Sequence, residues 1–177
     1  MSLVGFKARN HPQQPVRDEV NDRRTPAEFF NALHAEHHFT LDAAANAENA
    51  KISHNYRSVD NCGLAASWTG ERVWCNPPYT GLDAWVAKAW REMWSGCDLV
   101  VMLLPNNRCE QPWWQDNIEP FRDGPAVDGV QLRTTFLEGR LRFGMPASVR
   151  TPKGGWRPPF GCVLVTWSHD TRALGAR

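Results

Sequence analysis

Asn76-Pro77-Pro78-Tyr79 brings together the residue types that can hold a flat, uncharged, hydrogen-bonding group. Two consecutive prolines fix φ and remove two backbone donors, so the amide and the phenol stand on a stiff loop. The Asn76 side-chain oxygen and a proline carbonyl are both acceptors. Two converging acceptors match an exocyclic amine, whose two protons each need a partner. An aromatic ring beside them can stack on the heterocycle carrying that amine, an interaction worth ~1–3 kcal/mol for a nucleic-acid base. The chemistry needs no ionisable base: holding the amine pyramidal exposes its lone pair to an electrophile.

The elements around this loop place it at a sheet edge. Arg72-Val73-Trp74-Cys75 reads as a short strand entering the loop. Leu82, Trp85, Val86, Ala89, Trp90, Met93 and Trp94 then recur at helical spacing, a core stripe with no polar member. Thr80 and Asp83 form a capping pair for that helix, and Gly96 ends it. Leu99 to Leu104 is an apolar run between turn signals, expected as a strand buried on both faces. Strand, helix and strand make a βαβ unit with a right-handed crossover. This puts the loop Pro105-Asn106-Asn107-Arg108 beside the Asn-Pro-Pro-Tyr loop, at the carboxyl ends where open α/β sheets bind ligands. Further strands are expected at Val130–Leu137, Arg140–Phe143 and Gly161–Trp167, with an exposed Pro, Gly and Arg-rich loop over 145–159.

Upstream, residues 1–20 show no sustained period and read as a tail, as do 171–177, leaving 21–170 as a single domain. Thr25-Pro26-Ala27-Glu28 has the pattern of a helix start with a capping box, and Phe29, Ala32 and Leu33 give that helix an inward face. His34 and His38 lie four apart on it, but no acidic residue at a metalloprotease spacing and no third ligand accompany them, so no metal is expected. Phe39 to Ala45 reads as a strand delivering Asp42 at its carboxyl end. A ligand-facing and a helix-capping Asp42 are equally compatible with that pattern. Asn46 to Tyr56 is polar, a short helix or an irregular loop; Asp60 to Leu64 is turn chemistry, and Trp68 anchors the segment leading to Arg72.

Length and composition suit one soluble globular domain: 177 residues, 42% hydrophobic and 22% charged. Five cysteines without a C-x-x-C pair argue against a zinc ribbon and a disulfide scaffold. No apolar run reaches membrane-spanning length and no signal-peptide core is present, so a reduced cytoplasmic setting is expected. A net charge of +1 conceals an uneven distribution. Residues 139–169 lack any acidic side chain while carrying Arg140, Arg142, Arg150, Lys153 and Arg157, which favours nucleic acid as a partner.

With these residues in place, the sequence resembles a known family. Asn76-Pro77-Pro78-Tyr79 matches the catalytic motif of S-adenosylmethionine-dependent enzymes that methylate the N6 amine of adenine. Thr25-Pro26, Thr40-Leu41-Asp42-Ala43-Ala44 with Asn49-Ala50, Asp60 with Gly63-Leu64 and Trp68, and Gly139-Arg140-Leu141-Arg142-Phe143 resemble the phage-type Dam family of DNA adenine methyltransferases in particular. The resemblance covers residues 23–167. It implies a compact Rossmann-like α/β methyltransferase fold with a largely parallel sheet and an antiparallel C-terminal part. The implied activity is site-specific or broad-specificity N6-methylation of a flipped-out adenine in double-stranded DNA, by a monomer or weak dimer in the host cytoplasm.

The resemblance also implies residue roles. Thr25 and Pro26 would meet the methionine end of S-adenosylmethionine, Asp42, Ala43 and Ala44 would border its polar groups, and Asp60 would accept from its adenine amine. Asn76, Pro77, Pro78 and Tyr79 would hold the target base, with Asn76 also bordering the cofactor; Arg108, Arg140, Arg142, Arg150, Lys153 and Arg157 would meet DNA phosphates. The same fold could serve RNA adenine or protein glutamine, or a silent DNA-binding relative. The chain departs from the general methyltransferase pattern in three ways. The glycine-rich cofactor signature is replaced by Asp42 to Asn46. Only about 18 residues separate Asp42 from Asp60, too few for the usual helix, strand and helix, so the fold is shortened ahead of the Asn-Pro-Pro-Tyr loop. The aromatic residue often found before Thr-Pro is replaced by Arg23-Arg24. Glu48, Asn49 and Tyr56 are possible cofactor contacts in the shortened stretch.

Overall fold

The apolar run after Asp98 decides the architecture, because it has no polar face to give to water. In the computed structural model, which describes residues 23–58, 62–145 and 157–169, that run is strand β3 (Leu99–Pro105), buried at every position. Val100, Met102 and Leu104 point into one core while Leu99, Val101 and Leu103 point into the other. A strand with two apolar faces requires helices on both. Helix α1 (Ala27–His37) supplies Phe30 to the second core. Helix α2 (Leu82–Trp94) and the short α3 (Pro112–Asn117) supply the first.

The sheet is completed by β1 (Leu41–Asp42), β2 (Arg72–Cys75), β4 (Val130–Phe136) and β5 (Cys162–His169), in the order β1-β2-β3-β5-β4. β1, β2 and β3 run parallel, and β5 is antiparallel to both of its neighbours. Asp42 also bridges in parallel to Tyr56, with Asp42 N–H donating to Asn55 and Arg57 N–H donating back to Asp42, at 3.1 and 2.9 Å. The chain after β1 therefore returns beside it at Tyr56 after a tight loop, and no helix forms among the described residues between β1 and β2. The turn expected at 60–64 is described only from Cys62 onward.

Seven of the eight described tryptophans are buried, and each such side chain removes roughly 150–250 Å² from water, much of the driving force for so short a chain. Trp94 is the exception at 52% exposure, so the α2 stripe ends at Met93. The same helix also buries Lys88 and Glu92, which the apolar pattern did not anticipate. Lys88 Nζ donates to Glu92 Oε1 at 2.6 Å and to the Ala66 carbonyl, and Glu92 Oε2 accepts the Trp68 N–H. The pair thus ties the loop before β2 to α2. Burial opposes ionisation of Glu92, but the hydrogen bonds from Lys88 and Trp68 outweigh it and hold its pKa below the ordinary value.

Several local expectations are corrected. α2 is preceded by Gly81 in the left-handed region (φ 74°), with no side-chain cap from Thr80 or Asp83. α1 begins after Pro26 with no side-chain cap either, so Thr25 falls outside the helix. Its buried residue is Phe30 rather than Ala32, with Phe29 and Leu33 packing at the margin. The strand expected over 39–45 shortens to Leu41–Asp42 because Ala43 onward turns to follow Asp42's hydrogen bonds. Arg140 to Phe143 forms no strand; Phe143 is buried, and the adjacent Gly144 makes a two-way backbone bridge with Arg24 at 2.9 Å. The tails and most of the 145–159 loop lie outside the described residues. Among the described residues, no helix is long and apolar enough to cross a membrane.

Replacing Lys88 with Met leaves the Glu92 carboxylate buried without its cation, and unfolding in urea is expected to show a loss of about 3–5 kcal/mol. Glu92→Gln offers one acceptor oxygen to two donors, Lys88 and Trp68, and leaves the Lys88 ammonium buried without its anion, so a comparable loss is expected.

Candidate active site at the carboxyl edge

β2 ends at Cys75, and the two prolines that come after Asn76 cannot extend its ladder, so the chain leaves the sheet as a loop. Asn76 is fixed where it leaves. Its Nδ2 donates to the Arg23 carbonyl at 2.7 Å, which settles the orientation of the amide because a carbonyl can only accept. Oδ1 consequently faces away, buried and without a hydrogen-bond partner among the described residues. A buried acceptor left unsatisfied costs about 1–3 kcal/mol, so this one is poised for a donor that the protein does not supply.

Pro77 is buried and Pro78 half-buried. The Tyr79 ring lies 5.8 Å from Phe160, tilted by 56°, and the Arg23 guanidinium sits over it at 5.0 Å. Burial pushes the Tyr79 hydroxyl well above the phenol range, with Cys162 adding to the effect and Arg23 opposing it. The phenol therefore stays protonated and is no general base. The loop after β3 lies alongside as expected: Arg108 reaches the Tyr79 carbonyl at 3.4 Å. The start of β5 closes against it, because a side chain at Gly161 would come within 2.7 Å of the Asn106 amide.

On the other side of Asn76 is a polar pocket of about 30 Å³, into which Thr25, Asp42, Ala44, Asn49, Lys51 and Trp74 project together with Arg23 and Arg24. Asp42 organises it. Oδ2 accepts the Lys51 N–H at 2.8 Å and Oδ1 the Ala44 N–H at 3.4 Å, so one carboxylate holds both ends of the loop behind β1. Burial raises its pKa to about 6, against the lowering effect of those bonds and of Lys51. Burial likewise lowers the pKa of Lys51, which Asp42 opposes. Asn46 and Asn49 cap each other's backbone N–H groups within this loop, and Arg24 pairs with Glu48 at 2.7 Å. Thr25 Oγ1, released from any capping role, is buried with no hydrogen-bond partner among the described residues. A pocket carrying one carboxylate, three cations and the unsatisfied Thr25 and Asn76 oxygens suits a small zwitterionic head.

Of the residues singled out from the sequence, Thr25, Asp42, Ala44, Asn49 and Asn76 meet here. Pro26 caps α1 and Ala43 is buried with its N–H on Trp74, so neither lines the pocket. Glu48 is engaged with Arg24, and Tyr56 bridges to β1. Asp60, Arg150 and Lys153 lie outside the described residues. Arg108, Arg140, Arg142 and Arg157 are exposed. Lys51, Trp74 and the two arginines were missed, although Arg23-Arg24 standing where an aromatic is usual was a visible signal. Among the described residues no group of three or more His, Cys, Asp or Glu gathers for a metal; His34 instead stacks on Phe30 at 5.4 Å.

A ligand pocket and a rigid amide-bearing loop at the carboxyl ends of parallel strands define an α/β protein with its site at the sheet edge. Comparison with known proteins narrows that class. The family model described as DNA N-6-adenine-methyltransferase (Dam) matches residues 11–169, and the chain belongs to this family. A DNA N-6-adenine-methyltransferase of Escherichia phage T1 is 36% identical over 102 residues, which is 56% of this chain and 40% of that protein. The aligned stretch thus spans about two-fifths of that relative's length.

Asn76→Asp tests the orientation of the amide. It sets a carboxylate against the Arg23 carbonyl, so a loss of about 1–3 kcal/mol is expected at pH 7. The loss should shrink on acidification, because the raised pKa of the new carboxyl gives stability that is present at low pH and disappears as pH rises through it.

Proposed function

We propose that the chain transfers a methyl group from S-adenosylmethionine to the N6 amine of an adenine flipped out of duplex DNA, on a shortened Rossmann-like methyltransferase fold. The observation that carries this reading is the Asn76 amide, its donor end tied to Arg23 and its acceptor end buried and unsatisfied beside a mixed-charge pocket. Parallel strands followed by an antiparallel C-terminal pair support the fold. Membership of the DNA N-6-adenine-methyltransferase family supports the acceptor.

When bound, S-adenosylmethionine supplies an electrophilic methyl on a sulfonium. Asp42 would accept from the ammonium of its amino-acid head, and Thr25 Oγ1 and Lys51 would meet the carboxylate; the pocket's charges and unsatisfied atoms fit that group. Asn76 Oδ1 and the Pro77 carbonyl would accept the two protons of the adenine amine, drawing its lone pair out of conjugation and towards the methyl. Tyr79 would stack on the base. With the phenol held protonated, the amine is not deprotonated by this loop before transfer, and its proton is shed afterwards, when the alkylated nitrogen has become a strong acid. Arg108, Arg140, Arg142 and Arg157, exposed in the structure, would contact phosphates, joined by Arg150 and Lys153.

Transfer of labelled methyl groups to unmethylated duplex DNA tests the reaction. Asn76→Ala is expected to slow it by about 100-fold or more and Tyr79→Ala by about 10–100-fold; near-wild-type rates in Asn76→Ala would refute the mechanism.

The pocket makes a separate pH prediction, because Asp42 is protonated below about 6 and only the carboxylate attracts an ammonium. The raised pKa also means that Asp42 stabilises the ligand-free fold below its ordinary carboxyl value, a contribution lost as pH rises through about 6. Calorimetric titration with S-adenosylhomocysteine should show affinity nearly flat above that pH and falling about tenfold per unit below it. Asp42→Asn should bind more weakly with no such slope, and an unchanged slope in that variant would exclude Asp42 as the ammonium partner.

A further inference from the structure

Arg23 touches both chemical halves of the Asn-Pro-Pro-Tyr loop. Its carbonyl fixes the Asn76 amide at 2.7 Å, while its guanidinium carbon lies 5.0 Å from the Tyr79 ring centroid and 5.1 Å from that of Phe160. The two rings are 5.8 Å apart and tilted by 56°, and the guanidinium packs against both. A base stacked on this face of Tyr79, at the ~3.5 Å contact distance, would fill the space the guanidinium occupies, so on this face the base displaces it. The backbone of Arg23 does not leave with its side chain. Arg24 is bridged both ways to Gly144 and paired with Glu48, and α1 starts three residues later.

Resting on methyl transfer to a flipped adenine, we propose that Arg23 is a stand-in for the target base. Its planar cation covers Tyr79 in the absence of DNA, and it turns out to a DNA phosphate when the adenine enters. A guanidinium and a nucleobase have comparable attraction for an aromatic face. The exchange is thus close to balanced on the ring and is tipped by the phosphate, a partner present only with DNA. Burial disfavours the charged form of Arg23 where it sits, which pushes in the same direction. The main-chain bond to Asn76 survives the exchange, so the acceptor stays aimed while the stacking face is uncovered.

Two binding measurements test this without methyl transfer. The first is calorimetry of adenosine binding to the full chain saturated with S-adenosylhomocysteine, which keeps the nucleoside out of the cofactor pocket. Arg23→Ala is expected to bind adenosine at least about tenfold more tightly than wild type, and adding Tyr79→Ala should abolish the gain. The second is the salt dependence of binding to mixed-sequence duplex DNA, followed by anisotropy. The slope of log K against log salt should fall by about 0.9 in Arg23→Ala and stay at the wild-type value in Arg23→Lys, which keeps the charge. Equal adenosine affinity in wild type and Arg23→Ala, or an unchanged salt slope in Arg23→Ala, overturns the proposal. A wild-type chain that fails to methylate DNA refutes the functional reading instead, and both binding results remain readable in that case.

Discussion

The hydrogen bond from the Asn76 amide to the Arg23 carbonyl joins two parts of the chain that are 53 residues apart, and the site depends on it. A primary amide can rotate to present either end, and a loop asparagine in water has no reason to choose. Giving the donor end a backbone carbonyl removes that freedom. The strap that supplies the carbonyl is itself fixed, by the Arg24–Gly144 bridge on one side and by α1 on the other. The sheet then determines which groups lie nearby. Cys75 pairs with Met102 and Pro105 with Cys162, so the loops leaving β2 and β3 and the start of β5 converge on one edge.

Local patterns carried the sheet and the central helix. The apolar run Leu99–Leu104 lies within the strand Leu99–Pro105, and the helical stripe from Leu82 lies on a helix over Leu82–Trp94, with Trp94 itself exposed. The failures are of another kind. Arg140 to Phe143 alternates as a strand does, but alternation needs a neighbouring strand to pair with, and among the described residues the chain here makes only an isolated bridge, from Gly144 to Arg24. Thr25 looked like a cap because sequence shows which residues can cap and not which way the hydroxyl turns. Lys88 and Glu92 lie in the apolar stripe as a mutually satisfied pair, which no hydrophobic pattern registers.

The candidate site was legible in proportion to how local it is. Asn76 to Tyr79 are contiguous and announced themselves, and Asp42 could be placed at a strand end. Lys51 could not, because its place beside Asp42 depends on a loop folded back by the Asn46–Asn49 exchange and by Asp42's own hydrogen bonds. The contacts of Arg23 with rings at 79 and 160 are long-range and follow from the tertiary fold alone.

Asp42 is an architectural element as much as a pocket residue. In larger open α/β sheets a helix between the first two strands fixes the loop at the strand end, leaving the ligand groups free to vary. Here one carboxylate holds the Ala44 and Lys51 amides and also faces the pocket. Loop order and pocket charge are therefore a single variable. A substitution that changes the charge at this position also loosens the wall. Economy of length has fused two properties that a longer chain could adjust separately.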